Sequence, residues 1–89
     1  MIHKVFAIRD DKAEAYMPPI CFVTRGQAVR WFTDLMHDSG QEVAKHPEDY
    51  KLMFLGDYDI ELGVLTPARE GPAFIVGGLD VVSTERGGL

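Results

Sequence analysis

Tyr50-Lys51-Leu52-Met53-Phe54-Leu55 is the strongest strand pattern in the sequence, and it is apolar on both parities: Leu52 and Phe54 fall on one side, Met53 and Leu55 on the other. A strand of this kind needs cover on both faces. Immediately before it, His46-Pro47-Glu48-Asp49 reads as a short helical turn, with proline at its first position and two acids near its positive end. Immediately after it, Gly56-Asp57-Tyr58-Asp59 through Gly63 reads as a hairpin loop, Gly63 being free to adopt a left-handed conformation before the chain returns through Val64 and Leu65.

Further out, Ile2 to Arg9 alternates as a strand, with Phe6 and Ile8 on one side and Val5 and Ala7 on the other. The run from Ala15 to Val23 is apolar and extended. Pro18 and Pro19 withhold ladder donors, so its first half belongs at an edge or outside the sheet, and Cys21 reads as a small buried hydrophobe. Thr24 with Gln27 three residues later forms a capping-box pattern. From Arg25 to about Asp38, Ala28, Val29, Phe32, Leu35 and Met36 then mark one helical face, and Ser39-Gly40 ends it. It is the main helix of the chain. Gln41 to Lys45 is a polar connector with at most a weak turn. After Thr66-Pro67, glycine and proline punctuate short apolar pieces, which divides the chain into a core at residues 1–66 and a tail at 67–89 that is mobile or docks on the core or on a partner subunit.

The expected fold is α+β: a small antiparallel sheet of about three to five strands with one main helix packed on one face. One helix shields one face only. The other face is expected to meet a second subunit or the tail, with Tyr16, Met17, Pro18, Pro19, Met53 and Leu55 as the self-association residues of a homo-oligomer, a dimer or higher. Size points the same way, because a chain of 89 residues buries only roughly 60–65% of its unfolded surface.

Chemistry is sparse. Ser39 and Ser83 lack a nucleophile elbow, and His3, His37 and His46 form no ligand-like pair. Cys21 is the single cysteine, so neither a zinc cluster nor an intrachain disulfide is available. Asp57, Asp59 and Glu61 alternate, but acids at a hairpin tip serve turn chemistry and solubility. No catalytic residue, metal site or cofactor is therefore expected. The composition of 46% apolar residues excludes a disordered chain, and no run approaches the roughly 20 apolar residues of a membrane span. No membrane partner is expected.

A net charge of −5 removes the bulk positive field that draws proteins to polyanions, so any contact with nucleic acid must be local. Single strands are held by phosphate pairing and base stacking. The residues offering both are Arg25, Arg30 and Trp31 on the helix and Lys45, His46, Tyr50 and Lys51 around the short turn. In the competing reading Arg25 and Arg30 are helix-surface charges, Arg30 pairing with Asp34, Trp31 is partly core, and Tyr50 begins a buried strand.

Three stretches in this order, Lys12-Ala13-Glu14-Ala15-Tyr16-Met17-Pro18-Pro19, Ala28-Val29-Arg30-Trp31-Phe32-Thr33-Asp34 and His46-Pro47-Glu48-Asp49-Tyr50-Lys51-Leu52 leading to Leu55-Gly56 and Gly63, give the sequence its distinctive signature. Together they resemble the small nonstructural protein of gokushoviruses, single-stranded DNA phages of the Microviridae. The resemblance covers roughly residues 1–65. It implies a nonenzymatic viral protein in the cytoplasm of the infected bacterial host, acting in viral single-stranded DNA synthesis or packaging. Its implied partners are single-stranded DNA and phage replication or capsid proteins. The acidic balance is at odds with a protein that coats DNA stoichiometrically. The alternative is a protein-binding adaptor that never touches DNA.

Overall fold

A computed structural model describes residues 1–87, with side chains described for residues 1–82. The chain runs β1 (Ile2–Asp10), β2 (Ala15–Tyr16), β3 (Ile20–Phe22), α1 (Arg25–Met36), a short α2 (Glu42–Lys45), a 3-10 turn (Pro47–Asp49), β4 (Tyr50–Asp59), β5 (Val64–Pro67), β6 (Ala73–Gly77) and α3 (Gly78–Gly87). The architecture is α+β, with all six strands in one antiparallel sheet. The strand number exceeds expectation because each edge of the sheet is shared by two short strands.

β1 and β4 are the central pair and run antiparallel along their whole length, from Ile2 opposite Asp59 to Asp10 opposite Tyr50. β2 and β3 share the outer edge of β1, interrupted at Pro18 and Pro19, while the Met17 amide still donates to the Ile8 carbonyl oxygen at 2.8 Å. β6 and β5 share the outer edge of β4. The register places Gly56 opposite Val5 but Phe54 opposite Phe6, so Leu55 bulges from the ladder. β4 thus continues to Asp59, four residues past the Leu55 expected as its end. What reads as the start of a loop at Gly56 is a point of close approach, where β5 crosses so near that a Cβ would meet the Thr66 carbonyl oxygen at 2.2 Å.

Both tight hairpins close by the same device. Asp10 Oδ1 accepts from the amides of Lys12 and Ala13, and Asp59 Oδ1 from those of Glu61 and Leu62. Four residues after each aspartate the backbone turns left-handed, at Gly63 (φ 69°) and at Glu14 (φ 55°).

The helices lie on the sheet face formed by Phe6, Ile8 and Leu52. α1 buries Ala28, Phe32 and Met36 against them. The capping box is present, with the Gln27 amide donating to Thr24 Oγ1 at 3.2 Å and the Thr24 amide donating to Gln27 Oε1 at 3.4 Å. Phe6 is the hinge of an aromatic chain, edge-on to Phe22 at 6.1 Å and to Phe54 at 5.5 Å, and Phe22 in turn packs on Trp31 at 5.5 Å. The segment after residue 66 contributes directly to this layer: β6 pairs with β4, and α3 places Val81 in the core beside Phe32 and Met36. Glycine lets it dock, since Gly78 lies under the Pro47 carbonyl oxygen, where a Cβ would stand at 2.2 Å. The connector at Gln41 to Lys45 holds α2, which buries Val43. Gly88 and the Ser83 side chain lie outside the described part.

All three helices cover one face, leaving the other to the sheet itself. By strand alternation that face carries Val5, Ala7, Cys21, Met53 and Tyr58. Cys21 is exposed, not buried: in the alternation of β3, Phe22 turns to the helices and Cys21 turns away. Among the described residues no helix is long and apolar enough to cross a membrane.

Candidate binding surfaces

The basic residues separate into three environments. Arg9 and Lys51 are cross-strand neighbours on the helix-free face, an arrangement that repels unless a carboxylate intervenes. Asp11 supplies it, accepting from Arg9 Nε at 3.0 Å and pairing with Lys51 Nζ at 3.3 Å. The Arg9 hydrogen bond, aided by Lys51, holds the Asp11 carboxyl below the usual carboxylate range, and the same contact raises the Arg9 guanidinium, which also lies over the Tyr16 ring at 5.5 Å. Lys51 is therefore committed to the sheet.

Lys45 lies 3.6 Å from Glu42, and His46 Nδ1 lies 4.0 Å from Glu48. Arg25 and Arg30, on α1, have no carboxylate within 4.0 Å among the described residues, so the expected pairing of Arg30 with Asp34 does not form. The aromatic candidates face inward. Trp31 and Tyr50 are both half-buried against the core, and burial, with Asp10, Glu42 and Asp49 adding to it, pushes the Tyr50 phenol up. Arg25, Arg30 and Trp31 thus share α1, while Lys45 and His46 flank the 3-10 turn and Lys51 lies on the opposite sheet face.

Two of the three alternating acids have structural partners. Asp59 closes its hairpin, and Glu61 accepts from the Met1 amino group at 2.8 Å. His46, Glu48 and Asp49 bring ligand atoms within 4.8 Å of one another, an open cluster drawn from one turn.

The helix-free face holds an apolar groove of about 630 Å³ floored by Val5, Cys21 and Leu55 and walled by Pro19, Tyr58, Leu65 and Pro67. Of the residues expected to mediate self-association, Pro19 and Leu55 line it. Tyr16, Met17 and Pro18 are exposed on the adjoining edge. Met53 is only 8% exposed and lies beneath that surface, because Ala7 and Phe74 flank it on the neighbouring strands. Leu65 and Cys21 line the groove and were passed over by sequence reasoning as contact residues, and Phe74 lines a second concavity beside Lys51 and Gly77. The signal for Leu65 is its place opposite Tyr58 across the hairpin closed by Gly63.

The profile of the Phage ORF5 protein family matches residues 3–81. The chain belongs to that family. It is 31% identical over 75 residues to Protein ORF5 of Chlamydia phage 1, covering 80% of this chain and 78% of that protein. Chlamydia phage 1 is a gokushovirus, so the resemblance read from the sequence is borne out. No solved structure matches the chain. The ORF5 match runs beyond residue 65 through β6 to Val81, the residue that seats α3, so the C-terminal segment is part of the family's common unit.

Proposed function

We propose that this ORF5-family chain is a nonenzymatic phage accessory protein that assists viral single-stranded DNA synthesis and packaging by docking on the replication or packaging machinery. The contact is protein to protein. One observation carries the reading: Lys45, His46 and Lys51 lie against the chain's own carboxylates and Trp31 and Tyr50 against its own core, whereas Tyr16, Met17, Pro18 and Pro19 stay open to solvent at a sheet edge. Extended proline-containing edge segments are contact surfaces for proteins, because they present side chains and backbone with little conformational entropy left to lose.

A second reading, direct contact with single-stranded DNA, is favoured by Arg25 and Arg30 on α1, which have no carboxylate within 4.0 Å among the described residues. Salt separates the two. Oligonucleotide affinity through phosphates falls with salt at a log–log slope of about 0.7 per phosphate, while an apolar protein contact is nearly indifferent. Fluorescence anisotropy of a labelled single-stranded oligonucleotide at low salt is expected to show no binding. Binding that weakens with salt and is lost in Arg25→Ala/Arg30→Ala would replace the adaptor reading with the DNA one.

A further inference from the structure

We infer that His46, Glu48 and Asp49 form a binding site for a divalent transition-metal ion of the zinc class. The first argument is the donor set. The three side chains bring one imidazole nitrogen and two carboxylate oxygens within 4.8 Å of one another. An ion bound at about 2.0–2.2 Å holds neighbouring ligand atoms about 3.4 Å apart, and His46 Nδ1 already lies 4.0 Å from Glu48 Oε2. Small rotations of exposed side chains close the difference. The imidazole selects the metal, because magnesium and calcium prefer shells of oxygen alone whereas zinc accepts nitrogen and oxygen together.

The second argument is charge. Glu48 and Asp49 are adjacent carboxylates; among the described residues only His46 offers Glu48 a basic group within 4.0 Å, and none does so for Asp49. Lys45, the cation next to the turn, is taken by Glu42 at 3.6 Å. The Tyr50 phenol registers the result, since burial pushes it up and Asp10, Glu42 and Asp49 push it further. A divalent cation is the countercharge that two such carboxylates lack.

The third is preorganisation. Pro47 fixes the first position of the 3-10 turn, and the Asp49 amide closes it on the His46 carbonyl oxygen at 2.9 Å. Neighbours hold the turn from three sides: the His46 amide donates to the Val43 carbonyl oxygen at 3.3 Å, the Asp11 amide donates to the Asp49 carbonyl oxygen at 2.8 Å, and Gly78 of α3 packs against the Pro47 carbonyl. The ligands thus stand on a fixed backbone, and little beyond side-chain rotation is lost on binding. No pair of histidines announces such a site, because the partners of His46 are carboxylates two and three residues on. Coordination positions that the three side chains do not fill go to water.

The test uses the full chain with Cys21→Ser, which removes the exposed thiol as a competing zinc ligand. Titration calorimetry with Zn²⁺ is expected to show saturable binding of one ion per chain. His46→Ala and Glu48→Gln are each expected to weaken it by at least about 10-fold, the scale on which even an outer-shell partner of a metal ligand is felt. The two side chains are 56% and 54% exposed, so neither change disturbs the fold, which an unchanged far-ultraviolet spectrum checks. Excess Mg²⁺ is expected to leave the Zn²⁺ in place. Mn²⁺ gives the location: its paramagnetism is expected to broaden the amide resonances of His46, Glu48 and Asp49 first. Absence of saturable Zn²⁺ binding overturns the proposal, as does binding indifferent to His46→Ala. So does displacement by Mg²⁺, the mark of exposed acidic charge only, or broadening centred on Asp57, Asp59 and Glu61 at the other end of β4.

Discussion

Gly56 occupies the tightest backbone approach in the sheet, at a φ of 155° with the Thr66 carbonyl and the Pro67 Cα over the place a side chain would fill. Gly56→Ala must push β5 away from β4, and is expected to destabilise the chain by about 2–3 kcal/mol in urea unfolding. Asp11 is a residue of a different kind, exposed yet holding two like charges together. Its pKa is depressed, so its ion pairs contribute stability that is complete above the ordinary carboxylate value of 3.8 and is lost as pH falls through the lower folded value. The melting temperature of Asp11→Asn is expected to lie below wild type near about pH 7 and to converge on it only as pH falls through the lowered folded value. The pairing itself was not legible, because Asp11 and Lys51 are brought together only by the β1–β4 register. Cys21 was misread for a related reason: an apolar run says that a strand is present, and only its register says which parity meets the helices.

Among the elements, α1 was the most legible. Its signals are local, a capping box at Thr24 and Gln27 and apolar spacing that puts Ala28, Phe32 and Met36 on one stripe. Thr24→Ala is expected to cost about 1 kcal/mol, read from the same unfolding curves. β6 and α3 were illegible for the opposite reason. Gly77 and Gly78 look like slack in a tail, but Gly78 is required by contact with Pro47 and Met36, residues distant in sequence. The docking of α3 has its own test. Val81→Ala removes a side chain that is 7% exposed and is expected to cost about 1–2 kcal/mol, whereas a detached tail would leave stability unchanged. The candidate site divides in the same way: the edge position of Tyr16-Met17-Pro18-Pro19 followed from proline chemistry, while the inward packing of Trp31 and Tyr50 depended on Phe22 and the core.

At the scale of the whole molecule, three helices on one side of a six-stranded sheet make an unequal sandwich. Of the Leu52–Leu55 pattern, Leu52 and Met53 are buried and Phe54 and Leu55 half-buried, so both parities are largely covered, Met53 being flanked by Ala7 and by Phe74 of the C-terminal segment. The open edge at Tyr16, Met17, Pro18 and Pro19 supports the proposed reading of a protein that works by contact with another protein. Anisotropy of a labelled single-stranded oligonucleotide titrated with the full chain across salt tests it directly, since phosphate contacts weaken with salt and apolar protein contacts do not. The account expects no binding even at low salt. Binding that weakens as salt rises and is lost in Arg25→Ala/Arg30→Ala would contradict it.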